Sequence, residues 1–153
     1  MKTLNINDKA PDFTLEDTNE NLVKLSDFKG KKVLLSWHPL AWTSVCAQQM
    51  VQLEKKHDLL KDLNTVALGM SVDTVPSKKA WAEALDIKKL PLLSDFWPHG
   101  KTAKDYGIFN DEYGFSERVH ILIDEKGIIR WIKVYPIKQL PDIDEVLEEV
   151  KKI

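Results

Sequence analysis

Two short, almost uninterrupted apolar runs constrain this chain most: Lys32-Val33-Leu34-Leu35-Ser36-Trp37 and Val66-Ala67-Leu68-Gly69-Met70-Ser71-Val72. Runs of this length without polar alternation fit strands buried on both faces, and such strands need helices above and below them. Residues 44–63 between the runs repeat apolar and weakly polar side chains at steps of four and three: Cys46, Met50, Leu53, His57 and Leu60. That period predicts a helix with one inward stripe. After the second run, Pro76 stands where a first helical residue would, and Ala80, Trp81, Ala84 and Leu85 are expected inward. Strand, helix, strand, helix is the pattern of a parallel sheet.

The flanking segments complete the layout. Residues 13–15 and 22–25 enclose the polar stretch Asp17-Thr18-Asn19-Glu20-Asn21 and read as an N-terminal β-hairpin. The apolar piece Leu90-Pro91-Leu92-Leu93 precedes a helix through Thr102 to Tyr106 that Gly107 stops. Residues 119–123 and 128–134 form a second hairpin around Asp124-Glu125-Lys126-Gly127. A last helix begins at Pro141, with Asp142, Asp144 and Glu145 early and Lys151 and Lys152 late, as the helix dipole favours. The order predicts an α/β, thioredoxin-like fold: a mixed central sheet flanked by helices, with an added N-terminal β-hairpin. No repeat or linker divides it, so a single domain over residues 1–153 is expected.

Composition removes several function classes. The 22 Lys+Arg and 24 Asp+Glu leave a net charge of −2, with no basic footprint for nucleic acid. Neither a signal-peptide core near Met1–Asp8 nor an 18-residue apolar span occurs, so no membrane association and a cytoplasmic, reducing location are expected. One cysteine, Cys46, excludes an intrachain disulfide and a Cys-rich zinc site.

An isolated cysteine is commonly an inert core residue. Cys46, however, falls in the first turn of the first predicted helix, where free backbone N–H groups and the positive dipole end favour a thiolate. Upstream stand Pro39 and Thr43, giving P-x-x-x-T-x-x-C. Pro39 stiffens the loop, while Thr43 either caps the helix or offers its hydroxyl to a ligand. An ordinary capped helix start would look the same.

Pro39, Thr43 and Cys46, at this spacing after a central strand, resemble the peroxiredoxins, the AhpC/TSA family of thiol peroxidases. Ala10-Pro11-Asp12-Phe13, Ser71-Val72-Asp73, Arg118 and the residues 121–130 resemble that family in the same order. Phe96-Trp97-Pro98-His99-Gly100 and Tyr106-Gly107-Ile108-Phe109 are most similar to the one-Cys, AhpE-type subgroup. The resemblance implies that Cys46 attacks peroxide oxygen and becomes a sulfenic acid. It further implies that Arg118 stabilises the thiolate and the leaving oxygen, that Thr43 and backbone N–H groups hold the peroxide, and that Pro39 shields the product. The implied substrates are hydrogen peroxide or organic hydroperoxides, with no cofactor or metal and a homodimer as the assembly. With no second cysteine, an external thiol must reduce the sulfenic acid: a small thiol, a glutaredoxin-like or a thioredoxin-like protein. Gln49 departs from the Glu often found three residues after the cysteine, which predicts a weaker charged brace on Arg118.

Rival readings have less behind them. A Cys-His hydrolase needs an imidazole beside the sulfur. His57 lies about 16 Å along the helix, leaving His38 as the sequence-local candidate, with His99 and His120 dependent on tertiary placement. A dithiol oxidoreductase needs a second cysteine where Thr43 stands. A non-catalytic binding module would not require Pro39, Thr43, Cys46 and Arg118 together. Trp42 and Trp81 read as core or pocket-wall aromatics.

Overall fold

The computed structural model describes residues 4–153. Met1–Thr3, part of the segment read for a leader peptide, lie outside the described residues. The chain opens with β1 (Thr14–Asp17) and β2 (Leu22–Lys24), the expected hairpin, followed by a 3-10 turn over Leu25–Phe28. The central strand β3 (Lys32–Trp37) leads to α1 (Ser44–Lys55) and α2 (His57–Asp62). Then come β4 (Thr65–Ser71), α3 (Val75–Leu85), β5 (Leu92–Ser94) and α4 (Lys101–Asp105). A small hairpin of β6 (Phe109–Asn110) and β7 (Phe115–Ser116) precedes β8 (Arg118–Ile123), β9 (Ile129–Tyr135) and α5 (Ile143–Lys151).

The main sheet runs β2-β1-β5-β4-β3-β8-β9. β3, β4 and β5 are mutually parallel, and β8 and β9 add antiparallel on one side while β1 and β2 add antiparallel on the other. This is the mixed, thioredoxin-like α/β sheet with its N-terminal hairpin. Alternation along the strands divides the interior into two cores. Val33, Leu35 and Trp37 of β3 face one side with Leu68, Met70 and Ile121, while Leu34 and Leu122 face the other with Met50, Leu53, Trp81 and Val146 from the helices. Because side chains alternate with period two, Ser36 on β3 and Arg118 and His120 on β8 also point to the second side, toward α1. That register puts Ser36, Arg118 and His120 on the side that α1 covers.

Several boundaries differ from expectation. The predicted helix over residues 44–63 is broken at Lys56, whose ψ of 6° leaves the helical well; nothing in the sequence there, neither Pro nor Gly, accounts for the break. α3 starts one residue before Pro76, capped by the Thr74 hydroxyl, which accepts from the Ser77 N–H at 3.4 Å. Its inward face is also rotated in part: Trp81 is buried and Leu85 packs half-buried on the core as expected, but Ala80 and Ala84 are exposed, and Lys78 and Ala82 are buried instead. The last helix begins at Ile143, with Asp142 as its cap rather than Pro141 as its first residue. Among the described residues no helix is long and apolar enough to cross a membrane.

Candidate active site

Cys46 lies in the first turn of α1, directly after the loop that leaves β3, and is 1% exposed. The first intrahelical bond runs from the Ala47 N–H to the Thr43 carbonyl at 2.9 Å, so the N–H groups of Ser44, Val45 and Cys46 open toward the helix start. There a cavity of ≈ 240 Å³ is walled by Pro39, Leu40, Val45, Phe115 and Ile137, with Thr43, Ser44, Cys46, Arg118 and Lys138 as its polar groups. The four residues singled out in the sequence therefore line one cavity.

The loop is tied down from both sides. The His38 N–H donates to the Met70 carbonyl at 3.0 Å, and the Ala41 N–H donates to Asp73 Oδ2 at 2.8 Å. Trp42 holds a left-handed φ of 69°. Its ring is 57% exposed and its indole N–H reaches Ser77 Oγ at 3.2 Å, so it is not a core aromatic. Trp81 is, and its ring lies 5.4 Å from that of His38. Thr43 occupies the N-cap position without capping; its hydroxyl donates to the Leu40 carbonyl at 2.8 Å. With its proton committed there, the Thr43 oxygen can only accept from a ligand.

Arg118 is 2% exposed and fully engaged. Its Nη1 donates to Cys46 Sγ at 3.4 Å and to Gln49 Oε1 at 2.7 Å, while Nε and Nη2 both donate to the Ile137 carbonyl at 3.0 and 2.7 Å. Gln49, expected to weaken the brace on Arg118, still braces it, through a neutral amide oxygen. The same amide is oriented by its other end, where Nε2 donates to Ser36 Oγ at 2.7 Å and to the Trp37 carbonyl at 3.3 Å. Ser36 continues to His120 at 2.9 Å, and His120 to the Tyr135 hydroxyl at 3.2 Å. Burial, with Arg118 and Lys133 nearby, pushes His120 down to about 3, so this network carries no second cation.

Among the described residues no imidazole bonds to the sulfur. His99 is held by the Gly114 carbonyl at 2.8 Å, and His38 makes no hydrogen bond through either ring nitrogen among the described residues. Burial, then the charges of Lys78 and Arg118, hold His38 well below its ordinary range. The Cys-His arrangement of a hydrolase is not formed.

The profile of the AhpC/TSA family matches residues 6–132. The chain belongs to the AhpC/TSA family. Alkyl hydroperoxide reductase E of Mycobacterium tuberculosis is 41% identical over 132 residues, covering 86% of each chain. The reduced 2-Cys peroxiredoxin of Plasmodium vivax superposes with a TM-score of 0.86 at 31% identity, over 95% of this chain and 80% of that one. AhpC of Enterococcus faecalis superposes with a TM-score of 0.89 at 24% identity over 96% and 90%, a likeness of fold. As a peroxiredoxin this chain is a thiol-dependent peroxidase, and its single cysteine fits the one-Cys mechanism. The cysteine, the loop and the arginine expected from the sequence come together at this cavity. Sequence reasoning gave no role to Ser36, to Asp73, which stood only within the block Ser71-Val72-Asp73, or to the Ile137 carbonyl. The first two support the site only through contacts distant in sequence, and a backbone carbonyl leaves no side-chain signal.

Proposed function

We propose that Cys46 is the peroxidatic nucleophile, acting with Arg118, Thr43 and Pro39 on hydrogen peroxide or an organic hydroperoxide. The observation that carries this reading is the Arg118 guanidinium, one nitrogen shared between the sulfur and Gln49 and the other two held by the Ile137 carbonyl. A donor already in place needs no reorganisation as negative charge moves from sulfur to the departing oxygen. The thiolate attacks one peroxide oxygen, the O–O bond breaks, and the leaving oxygen takes a proton from solvent to become water or an alcohol. Cys46 is left as sulfenic acid. Thr43 accepts the hydrogen bond of the bound peroxide, N–H groups at the start of α1 donate to it, and Pro39 shields the sulfenic acid.

With one thiol in the chain, reduction takes two external thiols. The first condenses with the sulfenic acid, releasing water and forming a mixed disulfide, and the second regenerates Cys46. A small thiol, a glutaredoxin-like or a thioredoxin-like protein supplies them. The further parts of the proposal are one domain over residues 1–153, a cytoplasmic location that keeps the thiol reduced, and a homodimer. The exposed rings of Trp42, Trp97 and Tyr113 are the kind of surface that a second subunit covers; sedimentation equilibrium tests the assembly.

Rapid mixing of reduced protein with one equivalent of hydrogen peroxide, followed by tryptophan fluorescence and sulfenic-acid trapping, tests the chemistry. One added oxygen on Cys46 is expected, with no reaction in Cys46→Ser. Oxidation no faster than that of free cysteine would overturn the assignment.

A further inference from the structure

Lys78 stands on the inward face of α3 beside Trp81 and Ala82 and is 0% exposed. A fully buried lysine is among the rarest of core residues, since the ammonium gives up its hydration. Its Nζ donates to Ser71 Oγ at 2.7 Å, the Ser71 hydroxyl donates to Asp73 Oδ2 at 2.6 Å, and the same Asp73 oxygen accepts the Ala41 N–H at 2.8 Å. Three hydrogen bonds thus join Lys78 to the backbone of the loop between Pro39 and Thr43.

We propose that Lys78 is a positioning residue of the peroxidase centre, a buried ammonium that fixes the catalytic loop through Ser71 and Asp73 and lends positive charge to the Cys46 thiolate. The inference rests on the assignment of Cys46 as the nucleophile. Arg118 reaches the sulfur from β8, whereas Lys78 acts through space from α3.

The charged and titratable groups around Lys78 come from every element packed against it. Asp73 precedes α3, Asp95 follows β5, Cys46 lies on α1, and His38 follows β3. Arg118 of β8 acts on the His38 side. Asp73 is committed to Ser71 and Ala41, and Asp95 accepts from the N–H groups of Thr102 and Ala103 at 3.0 and 2.9 Å. His38 stays neutral. Cys46 is therefore the negative centre whose charge changes when thiolate becomes sulfenic acid. Burial draws Lys78 down to about 7, while Asp73, Cys46 and Asp95 oppose that fall. Its proton occupancy near neutrality accordingly responds to the state of the sulfur.

Two measurements test this, and neither needs peroxide. In reduced wild-type protein labelled with carbon-13 lysine, one ε-methylene is expected to titrate near neutral pH, well apart from the exposed lysines, and its midpoint should fall in Cys46→Ser. In Lys78→Met, the midpoint of the pH profile for iodoacetamide alkylation of Cys46 should rise by about half a unit or more. A thermal melt establishes that this variant is folded. The inference is overturned if no lysine titrates below about 9, if its midpoint is the same in Cys46→Ser, or if folded Lys78→Met keeps the wild-type alkylation midpoint. Should Lys78→Met not fold, the lysine titrations decide alone. Coupled titrations in a protein that does not turn over peroxide would remove the peroxidase assignment and leave the coupling intact.

Discussion

At the scale of single residues, the site depends on where each proton of a hydrogen bond sits. Gln49 shows this best, because its amide has one accepting and one donating end and the protein uses both: Oε1 toward Arg118, Nε2 toward Ser36 and the Trp37 carbonyl. A glutamate would keep the first contact and strengthen it by charge, but would turn an oxygen toward the Trp37 carbonyl with no proton between them. Gln49→Glu is therefore expected to lose about 1–3 kcal/mol of stability in urea denaturation and to raise the alkylation midpoint of Cys46, since the added negative charge disfavours the thiolate. Thr43 makes the complementary case. Because its hydroxyl proton is held by Leu40, Thr43→Val removes both the loop bond and the acceptor proposed for peroxide. Stopped-flow oxidation should slow by about 10²-fold, with Thr43→Ser restoring most of the rate.

At the scale of elements, the sulfur is positioned by the close approach of α1 to β4. A Cβ added at Gly69 would come within 2.7 Å of Met50 Sδ and 2.6 Å of Leu92 Cδ2. Gly69→Ala should therefore cost about 1–3 kcal/mol, read from the shift in denaturation midpoint. The elements themselves were largely legible in the sequence, because burial on both faces of β3 and β4 forces continuous apolar runs and the helices between them must then carry a stripe. The rotated face of α3 was not. Counting Ala80 and Ala84 as inward treated small apolar residues as core and Lys78 as surface, yet Lys78 sits at i−3 and i−4 from Trp81 and Ala82, on one helical face with them. That spacing was the available signal. Cys46, Pro39, Thr43 and Arg118 were marked by motif and resemblance. The Ile137 carbonyl that holds Arg118 carries no such mark, and it lies beyond the residues that the family profile matches.

At the scale of the whole molecule, buried bases set how stability follows pH. His38 and His120 have folded pKa values below the ordinary 6.5, and Lys78 is lowered from 10.5 to about 7. In each case the unfolded chain binds a proton that the native protein refuses, so stability is fully present above the unfolded value and is lost as pH falls. The histidines act below about 6.5 and Lys78 between about 7 and 10.5, each with a limiting slope of about 1.4 kcal/mol per pH unit. Asp95, raised by burial, opposes this trend only in the acidic carboxylate range. Tyr106 and Tyr135, held above their ordinary range by burial, oppose it only in strong alkali. Urea midpoints should therefore rise from pH 5 to pH 9, and the rise between pH 7 and 9 should flatten in Lys78→Met; an unchanged alkaline rise in that variant would assign it to another group. The clamp on Arg118 has a consequence in time. Cys46 is synthesised early, but the carbonyl that fixes its guanidinium partner belongs to Ile137, after β9 is complete. A chain still emerging from the ribosome thus carries its thiol without the finished clamp, and on the proposed mechanism full reactivity toward peroxide arrives only as the last strand and the segment behind it dock.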